Sequence, residues 1–170
     1  MHIYLLLHKM NLKNFRICVY EMQAKIRQIG IIHTPFREMS EVPRQSALAE
    51  AICEVEVFKE YEEGLKDIET FSHIFVLYWL HKSEGFSLLV KTPWDDAPHG
   101  VFATRSPRRP NPIGISVVKL IERRENVLVV SGIDAIDGTP LIDIKPFIPE
   151  FDSKNANSGW LEGKIKKEHV

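Results

Sequence analysis

Residues 101–114, VFATRSPRRPNPIG, gather side chains suited to holding an anion. Arg105, Arg108 and Arg109 share this stretch with Pro107, Pro110 and Pro112, and no acid lies within it. Proline fixes φ and removes a backbone donor, so such a loop has little conformational entropy left to lose on binding. Guanidinium forks match carboxylate and phosphate oxygens in pairs. A basic surface loop normally pairs with acids, here Asp95, Asp96 or Glu122. Those acids lie outside the loop, so the composition favours an external anion.

Other constellations are weaker alone. Pro43-Arg44-Gln45 offers a fork beside a donor and an acceptor, or is a solvated loop. His81, followed by Lys82, ends the most apolar stretch of the chain, as a site residue or as a strand cap. His33 and His73 carry the same ambiguity. In DAIDGTP (134–140), Asp137-Gly138 is a turn signal, while Asp134 and Asp137 are suited to accept bonds from sugar hydroxyls or an amine. Asp143 and Lys145 share a face of an extended segment, as a solvated ion pair would. No HxxxH pair occurs and cysteines are scarce, so no metal is expected. No two of the nine glycines are two apart, which excludes GxGxxG, and neither a phosphate-loop nor a GxSxG motif occurs. A nucleotide-like cofactor would need some other kind of site.

A length of 170 residues suits one domain with short tails. With 44% hydrophobic and 26% charged residues the composition is that of a globular chain. A net charge of −1 argues against a globally basic nucleic-acid binder but leaves room for a local basic patch. Cys18 and Cys53 form no disulfide framework, and a reducing cytoplasm is the expected compartment. The apolar run Ile3–Leu7 is too short to span a membrane and lacks the features of a signal peptide. Residues 1–21 are an upstream extension or a real extra element, such as FRICVY.

The elements that must position these residues read as short strands. KIRQIGIIHTPF (25–36) ends at Thr34-Pro35, and AICEVEVF (51–58) alternates Cys53, Val55 and Val57 against Ile52, Glu54 and Glu56. SHIFVLYWLH (72–81) is continuously apolar and predicts a strand buried on both faces. FSLLVKTP (86–93), IGISVVKLIE (113–122) and NVLVVSGIDAI (126–136) are further strands. TPWDDAPHG reads as a loop, KEYEEGLKDIETF as turns or a short helix, and DGTPLIDIKPFIPEF as a turn and a proline-broken edge segment. Six to eight strands without alternating helices predict an all-β chain: a compact β-barrel with short helices, and no Rossmann fold. The expected division is an N-terminal extension (1–24), the barrel (25–152) and a polar tail (153–170).

Taken in order, IGIIHTPF, PRQ, GLKDIETFSHI, Trp79 with His81, GVFATRSPRRPNPIG and DAIDGTPLIDIKPF resemble the TsaA-like, or TrmO-type, family across about residues 26–152. The resemblance implies a compact β-barrel that binds S-adenosylmethionine, usually as a homodimer. It further implies methylation of N6 of N6-threonylcarbamoyladenosine at position 37 of tRNA, in the anticodon loop. Carried over by motif, the cofactor site would use Pro43, Arg44 and Gln45, then His81 and Lys82. It would add Arg105 and Arg108, and the turn Asp137, Gly138, Thr139 and Pro140. The arginines of the loop remain undivided between cofactor and RNA phosphate. Transfer from a sulfonium needs an in-line nucleophile, and a base near N6 would help; His81 and Asp137 are the candidates. Trp79, Trp94 and Phe102 are candidates to stack on a base, with a place in the core the favoured reading for Trp79. Larger relatives carry a further C-terminal tRNA-handling domain, where this sequence has only its tail. The competing expectation is a barrel that holds S-adenosylmethionine or RNA without turnover.

Overall fold

The computed structural model describes residues 25–43, 49 and 51–165. The predicted extension and the residues Arg44 and Gln45 lie outside this range.

Eight strands form: β1 (Gly30–His33), β2 (Ile52–Val57), β3 (His73–Trp79), β4 (Leu89–Thr92), β5 (Asp95–Gly100), β6 (Ile113–Arg124), β7 (Val127–Ser131) and β8 (Thr139–Pro146). Six of them close into an antiparallel barrel in the order β1-β2-β7-β6-β3-β8, and β4-β5 is a separate hairpin. The helical content is short: 3-10 turns at Lys59–Leu65 and Ile68–Thr70, two more at Val101–Ala103 and Gly159–Leu161, and one α-turn at Pro149–Asp152. The β-rich barrel expected from the sequence is therefore present.

Alternation builds the core. Cys53, Val55 and Val57 of β2 meet Ile32 of β1, Ile74 and Val76 of β3, Val118 of β6, Leu128 and Val130 of β7, and Leu141 of β8 inside the barrel. Fully burying each Val, Leu or Ile contributes about 1.5–3 kcal/mol.

Three sequence readings need correction. β3 is not buried on both faces: Ile74, Val76 and Tyr78 point inward, whereas Phe75, Leu77 and Trp79 lie half-exposed outside. Among the described residues no layer of helices covers the outer wall there. Residues 95–100, read as a loop, form β5, because the turn after Thr92 folds them back on β4. The segment 139–146 is no edge: β8 sits between β1 and β3 and closes the barrel. Its prolines are accommodated because Pro140 is registered only against β1, and Pro146 only against β3.

At one mouth of the barrel Tyr78 fixes the backbone beside it. A Cβ placed on Gly114 would lie 2.1 Å from the Tyr78 ring, so the cross-strand partner of this tyrosine must be glycine.

The segment after the α-turn returns to the β4-β5 hairpin. The Trp160 indole stacks on His99 with ring centroids 3.7 Å apart, and its Nε1 donates to the Ala103 carbonyl at 2.8 Å. Lys164 pairs with Asp95.

Candidate functional site

The Arg-Pro loop follows directly from Ala103. It is held from outside by Ser83, whose hydroxyl donates to the Pro107 carbonyl (2.8 Å), and by the Ser87 amide, which donates to the Arg108 carbonyl (3.2 Å). Its far end is fixed by the Leu80 amide on the Pro112 carbonyl (2.8 Å). The loop is thus docked against the segment that carries His81 and Lys82.

A pocket opens at this junction. His81, Lys82, Arg108 and Thr139 line it together with Asp134, and Met39, Val42, Leu80 and Ile136 supply apolar wall. Four residues proposed from separate stretches of sequence meet here. Partial desolvation, and then the neighbouring Lys82 charge, lower the His81 imidazole below its usual 6.5, so at neutral pH it is a neutral donor and acceptor.

The three arginines divide. Arg109 is turned inward on its own loop, with Nη1 donating to the carbonyls of Thr104 (3.3 Å) and Ser106 (3.5 Å). Arg108 is exposed and lines the pocket. Arg105 lies near enough to Tyr78 for its charge to act on the phenol.

The remaining residues take other places. Pro43 adjoins the pocket-lining Val42, while Arg44 and Gln45 fall outside the described residues. Asp137 is engaged away from the pocket: Oδ1 accepts from the Thr34 amide at 3.0 Å, and Oδ2 pairs with Arg37. Gly138 adopts φ +75° and donates its N–H to the Ile32 carbonyl (3.0 Å), which turns the chain into β8. Thr139 Oγ1 donates to the Ile136 carbonyl (2.7 Å), and Pro140 is a strand residue of β8. His33 contacts Glu56 at 3.0 Å, and His73 is exposed, edge-on to Phe147. Among the described residues no group of three or more His, Cys, Asp or Glu could hold a metal, and no helix is long and apolar enough to cross a membrane.

In the motif reading Asp134 has only a minor place beside Asp137. In the fold the two exchange prominence. Asp134 lines the pocket, and its Oδ1 accepts hydrogen bonds from Tyr78 (2.9 Å) and Ser116 (2.5 Å). These donors come from β3 and β6, so no local motif announces the cluster; the one signal is the inward phase of Tyr78 and Ser116 on paired strands.

Comparison with known proteins agrees with this architecture. A probable S-adenosyl-L-methionine-binding protein of Pyrococcus abyssi is 54% identical over 143 residues, covering 83% of this chain and 78% of that protein. The tRNA (adenine(37)-N6)-methyltransferase of Escherichia coli is 39% identical over 140 residues, covering 76% of this chain and 60% of the enzyme. Its human counterpart is 37% identical, and the match spans 30% of its length. A crystal structure of TrmO from Pseudomonas aeruginosa superposes with a TM-score of 0.69 at 36% identity, over 82% of this chain and 63% of that one. The chain thus spans under two thirds of these methyltransferases. The model of the tRNA-methyltransferase O N-terminal domain matches residues 31–153, and with that match, on a six-stranded barrel, the chain belongs to this family.

Proposed function

We propose that this chain is an S-adenosylmethionine-dependent methyltransferase acting on N6 of the adenine at position 37 of tRNA, in its N6-threonylcarbamoyl form. The observation that carries the reading is the meeting of His81, Lys82, Arg108 and Thr139 in one pocket beside a stiff basic loop. The cofactor would lie in this pocket, with Lys82 and Arg108 placed for its carboxylate or for RNA phosphate. Pro43, Arg44, Gln45 and the turn Asp137–Pro140 would complete its surroundings, Asp137 by bracing the turn through Thr34 and Arg37. The cofactor itself supplies an activated methyl group. The protein's part is to orient that methyl for in-line attack and to exclude competing nucleophiles. The anticodon loop is the expected RNA contact, and the cytoplasm the expected compartment.

A homodimer is part of the same proposal. On the outer face of the barrel Phe75, Leu77 and Trp79 lie opposite Val117, Ile115 and Ile113, with exposures of 40%, 55% and 37% for the latter three. An apolar sheet face of this kind suits a self-complementary two-fold contact.

The test is methyl incorporation from labelled cofactor into tRNA with and without N6-threonylcarbamoyladenosine at position 37. Label confined to the modified tRNA is the expected result. A barrel that binds the cofactor without turnover is the second reading, favoured by relatives named only for that binding. It predicts saturable calorimetric binding of S-adenosylmethionine and no incorporation.

A further inference from the structure

The pocket contains a carboxylate in an unusual setting. Asp134 Oδ1 accepts two hydroxyl donors at once, Tyr78 at 2.9 Å and Ser116 at 2.5 Å, and these hydroxyls also contact each other at 2.9 Å. Ser116 and Tyr78 are buried to 1% and 2% exposure, and Gly114 leaves space for the tyrosine ring. Oδ1 is therefore anchored by hydroxyls from two paired strands, in a residue that lines the pocket. Asp137, the other acid of the motif, is held by Thr34 and Arg37. Glu84, the second carboxylate of the lining, is exposed and makes no such anchoring contact among the described residues.

We infer that Asp134 is the general base of the reaction, taking the N6 proton on Oδ2, with Tyr78 and Ser116 as positioning residues. This rests on the methyltransferase reading above. As the methyl carbon bonds to N6, the sulfur–methyl bond breaks and its electron pair stays on sulfur as a neutral thioether. The N6 proton passes to Asp134, which later releases it to water. The N6 nitrogen carries an acyl-type substituent, so it is a poor nucleophile while protonated and gains most from a fixed base. Two hydroxyls holding one carboxylate oxygen restrict the carboxylate to few orientations, as a proton acceptor in an in-line transfer requires.

The experiment compares wild type with Asp134→Asn in single-turnover methyl transfer to modified tRNA between pH 5.5 and 9, alongside calorimetric cofactor affinity and thermal melting. Asn keeps an oxygen for the two hydroxyls but cannot take a proton. The expected result is cofactor affinity within about threefold and a rate lower by about 10²–10⁴-fold, the usual range for a lost base. Ser116→Ala is expected to lower the rate without changing cofactor affinity. A rate within threefold of wild type overturns the assignment. So does a rate that saturating cofactor restores, which would make Asp134 a cofactor ligand. If Asp134→Asn fails to fold, Ser116→Ala decides: an unchanged rate overturns the assignment. A wild type that binds cofactor but transfers no methyl to any tRNA overturns the methyltransferase reading, and this inference with it.

Discussion

Arg108 and Arg109 are neighbours in sequence with opposite tasks. Arg109 bonds carbonyls of its own loop, whereas Arg108 faces the pocket. Arg108→Ala is therefore expected to weaken cofactor or tRNA binding about tenfold or more, as loss of a charged hydrogen bond does, with little change in melting temperature. Arg109→Ala is expected to lower the melting temperature as well, because two loop carbonyls lose their donor. Calorimetry and thermal melting on the same samples separate the two. Gly114→Ala is a sharper case. The added methyl meets the Tyr78 ring at 2.1 Å, and overpacking of this kind costs about 1–3 kcal/mol; chemical denaturation measures it. Cys53 provides a titration. Burial raises its thiol to about 11 from the usual 9.0. The fold favours the protonated thiol, so its contribution is complete below pH 9 and is lost as pH rises towards 11. Alkylation followed by peptide mass analysis at pH 8 is expected to leave Cys53 unmodified until the chain is unfolded.

At the scale of elements, the Arg-Pro loop depends on partners that sequence reading could not supply. Its stiffness is legible from three prolines, but its fastening to Ser83, Ser87 and Leu80 is tertiary. The segment 159–164 is a further fastening, since Trp160 bonds Ala103, two residues before Arg105. Its ion pair with the hairpin has a defined acid limit: the Lys164 ammonium, and then the Ala97 amide, hold Asp95 at about 2, against 3.8 normally. A lowered carboxylate stabilises above its unfolded value and loses that contribution as pH falls from about 4 to about 2. Trp160 emission is expected to change across this interval, and Asp95→Asn to remove the change. A transition of unaltered midpoint in Asp95→Asn would assign it elsewhere.

For the whole molecule, strict alternation made β2 readable residue by residue, and its inward and outward sets match the observed burial. β3 misled because an unbroken apolar run looks the same whether a second layer covers it or the outer wall is left for another contact. β8 misled for a related reason: prolines suggest an edge, and closure of a barrel, which removes edges, is a property of all six strands together. The family's motifs were legible as order along the chain. The Tyr78–Ser116–Asp134 cluster was not, because it depends on the register of β3 against β6. The outer apolar wall gives the molecular-scale prediction. If the proposed dimer forms through this wall, light scattering is expected to find wild type as a dimer and Ile115→Lys, at a position 55% exposed, as a monomer without loss of secondary structure. A monomeric wild type would overturn the dimer proposal, and a dimer unchanged by the substitution would overturn this face as its contact.

The contact of Trp160 with Ala103 also has a mechanical meaning. Tension applied at the C-terminal end would reach the base of the Arg-Pro loop before it reached any strand of the barrel. Pulling on this chain in a single-molecule trap should therefore open the Arg-Pro loop at low force, as a first short extension, while the closed barrel still holds.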